Sequence, residues 1–330
     1  MILAGDVGGT KTALAVLEPG AAGSSRMTVV REAELPSHEI DTLEGAVEAF
    51  LLGAPRITVR AACLGVAGPV VDGRCVATNL PWEVHERRLA AATQAPTRLL
   101  NDLEATAHGV LVLPPESFVT LQEGVANPGG NIALIAAGTG LGQALIVAEG
   151  TGHRVLASEG GHADFAPRDE LQIDLLRFLR AEHGHVSWER VLSGPGLANI
   201  YRFLQVRAGH AAPVWLRERL QREDPGAVIG EVGLAGGDPE CVEALDLFAT
   251  IYGAQAGNLA LLTLSLGGVV LAGGIAPKIA PKLREAPFLE AFRGKGRFAS
   301  LLATMPVRVA LDPRAPLWGA AHVAAAMPAS

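Results

Sequence analysis

The sequence predicts an α/β fold in two related halves, each offering a glycine turn to one ligand in a cleft between them. The first observation is the opening segment, where the apolar run Ile2-Leu3-Ala4-Gly5 breaks at Asp6-Val7-Gly8-Gly9-Thr10-Lys11 and resumes at Thr12-Ala13-Leu14-Ala15-Val16. The second is its echo over residues 131–147, where an apolar strand, the turn Gly138-Thr139-Gly140 and another apolar strand follow in the same order. The third is the alternation of strand-like and helix-like segments, which favours a mostly parallel or mixed sheet with covered faces. At 330 residues the length itself makes two domains the better expectation.

The opening segment has the shape of a phosphate-binding hairpin. Gly8 and Gly9 allow positive φ and leave no Cβ in the way, so backbone N–H groups can point at a phosphate oxygen while the flanking strands stay paired. Asp6 would repel a bare phosphate but suits a phosphate-bound Mg2+, through oxygen or water ligation. An ordinary Asp/Gly hairpin has the same composition, and the segment alone leaves both readings open. Two familiar nucleotide motifs are not met. Gly138-Thr139-Gly140-Leu141-Gly142 lacks the G-x-G-x-x-G spacing and precedes a strand-like run, and Lys11 follows Thr10 rather than the glycine a Walker A loop requires.

Between the hairpins, residues 57–66 read as a strand ending at Gly65-Val66-Ala67-Gly68-Pro69, and residues 97–100 as a short strand ending at Asn101-Asp102. Helices are expected over residues 43–52, 170–182 and 243–266, and an irregular connection over 211–239, where Pro213, Pro225, Gly230 and Gly236-Gly237 fall. The last segment reads as a strand over 307–311, a turn and a closing helix that returns to the N-terminal domain. The expected domains are therefore 1–110 plus 311–330, a smaller α/β unit, and 111–310, a larger one.

Composition narrows the function. Apolar residues make up 49% and charged ones 18%, enough for a sizeable core and too apolar for wholesale disorder. A net charge of -7, with basic residues spread along the chain, does not recommend nucleic acid as a partner. Cys63, Cys75 and Cys241 form no CxxC pair, which fits a reducing, cytoplasmic location and argues against a disulfide framework or a cysteine zinc site. No signal peptide is expected ahead of Asp6. Residues 256–277 carry no charge over the length of a membrane span, but Gly267-Gly268 and Gly273-Gly274 divide them into a helix, a short strand and a turn, so no membrane segment is expected.

Polar residues cluster where chemistry is expected, just past strand ends. Asp102 emerges from a strand at a helix start, where a carboxylate can accept a substrate hydroxyl's proton while Asn101 fixes another hydroxyl; the same place suits an N-cap. Ser158-Glu159-Gly160-Gly161-His162 gathers an acid and an imidazole around two glycines, a set that suits vicinal sugar hydroxyls, although turns also collect these residues. Thr78-Asn79-Leu80-Pro81-Trp82 reads as a sugar-facing loop or a packed turn. Glu189 before Ser193-Gly194-Pro195-Gly196 reaches a ligand or starts a helix, and His183-Gly184-His185 reads as exposed loop. Gly273-Gly274 ends a strand so that backbone can lie against a flat adenine or its ribose, or simply turns the chain into a helix.

Taken together, Asp6-Val7-Gly8-Gly9-Thr10, Thr78-Asn79-Leu80-Pro81-Trp82, Leu100-Asn101-Asp102, Ala137-Gly138-Thr139-Gly140-Leu141-Gly142, Ser158-Glu159-Gly160-Gly161-His162-Ala163-Asp164-Phe165 and Glu189-Arg190-Val191-Leu192-Ser193-Gly194-Pro195-Gly196 resemble the bacterial glucokinase family, in order and over nearly the whole chain. The His162 and Glu189 blocks are the specific ones; the Asp6 block is shared with sugar kinases, heat-shock chaperones and actin at large. The resemblance implies a two-domain actin-like ATPase (ribonuclease H-like) fold with a cleft between the domains, and transfer of the ATP γ-phosphoryl to the 6-hydroxyl of glucose, feeding glycolysis. It implies Asp102 as the base and Asn79, Asn101, Asp102, Glu159, His162 and Glu189 as sugar ligands. It implies Asp6, Val7, Gly8, Gly9, Thr10 and Lys11 with Gly138, Thr139 and Gly140 around the phosphates and Mg2+, Asp6 as the metal ligand through water, and Gly273 with Gly274 beside the adenosine. Domain closure would exclude water from ATP. A homodimer is the expected assembly.

Lys11-Thr12 stands where enterobacterial-type members have Asn-Ala, and Lys there resembles the related ROK kinases. The clustered-cysteine zinc pattern of that group is absent, and with no helix-turn-helix ahead of residue 2 a ROK repressor is not expected. Two rival functions remain at this level: another hexose or amino-sugar kinase of the same fold, and an actin-like nucleotide switch, which should lack a polar cluster such as Glu159, His162 and Glu189.

Overall fold

The opening apolar run forms β1 (Ile2–Val7) and resumes as β2 (Lys11–Pro19), paired antiparallel from Ile2 opposite Leu17 to Val7 opposite Thr12. The computed structural model describes residues 1–20, 27–53, 57–77, 80–125, 127–209 and 211–328. The chain divides into two units, Met1–Pro115 with Asp312–Ser330, and Glu116–Leu311.

In the first unit, β3 (Met27–Pro36), α1 (Leu43–Leu52), β4 (Ala61–Val66), β5 (Val70–Val71), β6 (Arg74–Val76), β7 (Glu83–His85), α2 (Glu86–Thr93), β8 (Thr97–Asn101) and α3 (Asp102–Val110) follow. The main sheet has the order β3-β2-β1-β4-β8, with β4 parallel to both β1 and β8; β5, β6 and β7 make a small sheet of their own. Strand alternation sorts the core onto two faces. Leu3 and Val7 join Leu43, Val47 and Leu89 on one side, while Ile2 and Ala4 pack on the other with Leu317, Ala320 and Ala321.

The second unit holds β9 (Phe118–Gln122), β10 (Ile132–Ala137), β11 (Leu141–Glu149), β12 (Gly152–Ser158), α4 (Glu170–His183), α5 (Gly194–Ala208), α6 (Val214–Arg222), α7 (Pro225–Leu234), α8 (Pro239–Thr263), β13 (Gly268–Ala272), α9 (Ala280–Leu283), α10 (Ala286–Arg293), α11 (Ala299–Thr304) and β14 (Val307–Ala310). Its sheet runs β12-β11-β10-β13-β14-β9. An antiparallel three-strand meander followed by two parallel strands thus appears in both units, so the echo read in the sequence is an echo of topology.

Residues 211–239, expected to be irregular, contain α6 and α7 instead. The prolines there open helices rather than break them: Pro213 is the N-cap of α6, and Pro225 sits in the first turn of α7, where no N–H is missed. Asp224 caps α7 by accepting from Ala227 N at 2.7 Å. Gly233 serves close packing, since a Cβ there would stand 2.6 Å from Cys241 O. The uncharged stretch 256–277 divides as expected, α8 ending at Thr263 and β13 following. Among the described residues no helix is long and apolar enough to cross a membrane.

The chain then returns to the first unit as α12 (Ala315–Ala326). It crosses α3 with backbones in contact: a Cβ at Gly319 would stand 1.8 Å from Ala105 O, and one at Gly109 1.9 Å from Ala315 O. Half-buried His108 of α3 lies in this layer, and burial, then the neighbouring His322 and Arg98, push its pKa down from 6.5 to about 4. Because the folded ring resists a proton that the unfolded chain accepts, stability is kept above the unfolded value and lost as pH falls from about 6.5 toward 4. His108→Gln is expected to flatten the loss of urea stability over that window by about 2 kcal/mol, a figure reduced for solvent screening of a half-buried group; an unchanged pH dependence would remove His108 from its cause.

Candidate active site

The carboxyl ends of β1, β4 and β8 lie in register, Asp6 opposite Gly65 and Val66 opposite Asn101. Asn101 caps α3: its Oδ1 accepts from Leu103 N at 2.9 Å and its Nδ2 donates to Gly68 O at 3.1 Å. The cap that the sequence offered to Asp102 therefore falls to Asn101, and Asp102 is the first helical residue, its Oδ1 also accepting from Leu103 N at 2.9 Å. The start of α3 can come down onto β4 because position 65 is glycine; a Cβ there would stand 2.7 Å from the Cβ of Ala105. This brings Asp102 near enough to act on Asp6, whose pKa is pushed up to about 6 by burial first and by the Asp102 charge second.

A divalent cation beside Asp6 would favour its ionised form against the burial, and secondarily the Asp102 charge, that hold its pKa high. Among the described residues no group of three or more His, Cys, Asp or Glu side chains could hold a metal by itself. The donor set thus fits a Mg2+ ion that takes its remaining oxygens from phosphate and water.

Neither Gly8 nor Gly9 takes a positive φ. The first turn is held by hydrogen bonds instead. Gly8 N donates to Lys11 O at 2.9 Å, and buried Ser37, just after β3, donates from Oγ to Gly8 O at 2.7 Å and from N to Thr10 O at 2.9 Å. Since that one hydroxyl proton goes to Gly8 O, Thr12 Oγ1 is the donor in its 3.0 Å contact with Ser37 Oγ. Lys11 pairs with Glu34 of the neighbouring strand at 2.6 Å, both side chains exposed. Nothing in the sequence around Ser37 marks it as the support of a turn nearly 30 residues earlier, because the contact arises only when β3 pairs with β2.

The second turn is held by residues from the sugar-like blocks. Gly138 N donates to Gly140 O at 2.9 Å, and Gly138 O accepts from Gly194 N of α5 at 2.8 Å. Glu189 reaches the same turn, its Oε2 accepting from Leu141 N at 2.9 Å and standing 2.5 Å from where a Cβ at Gly140 would be. Ser193 caps α5 and donates to Glu189 O at 2.7 Å. At the carbonyl of Leu141, Gly161 lies so close that a Cβ would stand 1.9 Å from Leu141 O. Glu159 and His162 flank that glycine, Nε2 of His162 being 3.9 Å from Oε2 of Glu159, with both side chains exposed. The structure therefore gathers Glu159, His162, Glu189 and the Gly138–Gly140 turn around Leu141.

Gly273, at φ +81°, ends β13 against β10, where a Cβ would stand 2.4 Å from Ala137 O; Gly274 beside it is exposed. Asn79 and Thr78 lie outside the described residues. Trp82 is buried in the core of the first unit, so that end of its block is a packed turn. The His183–His185 segment is not simply exposed loop: His183 is half-buried at the end of α4, while exposed His185 bonds Asp164 at 2.8 Å.

The twin meanders, each carrying a turn at the end of its first strand, are those of the actin-like ATPase fold. A family model described as Glucokinase matches residues 3–327. A glucokinase of Synechocystis sp. is 42% identical over 98% of this chain and 97% of its own, and one of Nostoc sp. is 42% identical over 98% and 99%. Among solved structures, a glucokinase from an Antarctic psychrotroph superposes with TM-score 0.85 at 33% identity, covering 99% of each chain. A ROK family glucokinase from Streptomyces griseus, solved in complex with glucose and AMPPNP, shares the fold at TM-score 0.65 and 23% identity, covering 98% of this chain and 99% of that one. The chain belongs to the glucokinase family.

The two glycines that meet Leu141 and Glu189 differ in what stands in the way. Gly161→Ala drives a Cβ into backbone and is expected to cost about 3 kcal/mol in urea unfolding. Gly140→Ala meets the end of a flexible carboxylate and is expected to cost about 1 kcal/mol, the worth of the bond Glu189 makes to Leu141. Equal costs would show that Glu189 is not the group that position 140 accommodates.

Proposed function

We propose that the protein transfers the γ-phosphoryl group of ATP to the 6-hydroxyl of D-glucose, with Asp102 as general base. The observation that carries this reading is the closeness of Asp102, at the start of α3, to Asp6, at the end of β1 beside a glycine turn. Phosphoryl transfer from a nucleotide needs a base for the acceptor hydroxyl and a carboxylate for the metal that accompanies the phosphates. Two carboxylates that suit these tasks stand at the ends of β1 and β8, on either side of β4.

The reading assigns each chain group a task. The Asp102 carboxylate accepts the proton of the primary hydroxyl as that oxygen forms its bond to the γ-phosphorus and the bond to the ADP oxygen breaks. Asn101, fixed by its bonds to Leu103 and Gly68, offers its amide to a sugar hydroxyl, and Glu159, His162 and Glu189 supply further acceptors and a donor. Asn79 belongs to the same set. With the Gly8 and Gly138 N–H groups already given to Lys11 O and Gly140 O, the N–H groups of Gly9, Thr10, Thr139 and Gly140 are the ones offered to phosphate oxygens, Lys11 adds positive charge when released from Glu34, and Gly273 with Gly274 flanks the adenosine. Asp6 is the residue that would hold Mg2+, which when bound would supply charge neutralisation at the transferring group. The choice of glucose among sugars rests on the relatives named glucokinase and on the polar set around Leu141. A cytoplasmic homodimer acting on glucose and ATP, without nucleic acid or membrane, completes the reading.

ADP release measured against glucose, mannose, fructose and N-acetylglucosamine is expected to be greatest with glucose, and no release with any of them would return the switch reading. Asp102→Ala is expected to lower kcat by roughly 10²-fold or more with the fold retained; near-normal kcat would exclude the base assignment. Mg2+ added with ADP is expected to raise the thermal midpoint of the native protein and to do so less in Asp6→Asn, a readout that needs no turnover.

A further inference from the structure

Gln143 of β11 is 2% exposed, and its buried Nε2 finds no hydrogen-bond partner among the described residues. It pairs across the sheet with Ser158, so the two side chains share a face, and that face lies under the turn that follows β12. A Cβ at Gly160 would stand 2.6 Å from Gln143 Oε1 and 3.0 Å from Ser158 Oγ, and Gly160 N donates to Ser158 Oγ at 2.9 Å. With Leu141 O pressed against Gly161, the turn bearing Glu159 and His162 rests on three polar points of the strands beneath it.

An apolar side chain of similar volume would fill this position without leaving a buried donor unused, and an unused donor costs stability. A buried donor left unused calls for an explanation other than packing. We propose that Gln143 is a positioning residue for the sugar: its carboxamide, with the Ser158 hydroxyl, sets the height of Gly160 and so the placing of the Glu159 carboxylate and the His162 ring. The inference rests on the assignment of Glu159 and His162 to the sugar. Glu189 is bonded to the N–H of Leu141 on the same strand, so a shift of β11 is felt by all three groups.

Gln143→Leu separates this role from simple packing. The variant removes the buried donor, so its thermal midpoint is expected to equal or exceed that of the native protein. Its KM for glucose, and its Kd for glucose by calorimetry, are expected to rise roughly tenfold while KM for ATP stays within about twofold, the size of effect that follows loss of one well-placed hydrogen-bonding group. Amide exchange over residues 159–162, measured without glucose, is expected to quicken in the same variant. Ser158→Ala provides a second route to the same three readouts, with a smaller rise in KM. Unchanged glucose affinity, a joint rise of both KM values with a lowered midpoint, or unchanged exchange in the turn would each overturn the proposal. If the native protein binds no glucose but exchange still quickens in Gln143→Leu, the positioning of the turn stands and the sugar assignment falls.

Discussion

The seating of α3 is the constraint on which the first unit depends. In the proposed reaction Asp102 acts beside Asp6, and two acids are brought together only where the surrounding backbone leaves them no other arrangement. Three glycines provide that. Gly65 lets the first turn of α3 lie on β4, while Gly109 and Gly319 let α3 and α12 cross with backbone against backbone. Apolar burial beneath α12, from Ile2 and Ala4 to Ala320 and Ala321, holds the layer shut and offsets the cost of keeping Asp6 partly buried and its pKa high.

The second unit solves a similar problem with hydrogen bonds. Leu141 is tied through its N–H to Glu189 and pressed through its carbonyl by Gly161, so the strand that leaves the second glycine turn is also the floor of the polar cluster. Leu141 ties that turn to Glu189 directly, and the 159–162 turn meets β11 at Gln143 and β12 at Ser158. Phosphate-like and sugar-like motifs, separate in the sequence, share one supporting strand.

Local patterns made much of this legible. The alternation of apolar residues around Asp6 and again around Gly138 marked two hairpins, and the repeated order of the motifs carried membership of the glucokinase family. Local patterns misled where a residue type serves two structures. Prolines 213 and 225 looked like breaks and are helix starts, and Gly8 and Gly9 looked like left-handed turn residues and have negative φ. At Asn101 and Asp102 the sequence left Asp102 open as base or N-cap; the cap falls to Asn101, because either side chain suits that place and only the strand end decides which one the helix begins after.

By itself the sequence determined the twofold α/β plan, the family, and the set of polar residues from which chemistry must be drawn, since strand period, glycine turns and motif order are properties of neighbouring residues. Only the tertiary structure decided which groups support others. Ser37 under the first turn, Glu189 on the second, Gly65 beneath α3 and Gln143 beneath Gly160 act across separations of 17 to 48 residues. Contacts of that kind exist only once strands have paired in register, and no spacing along the chain announces them.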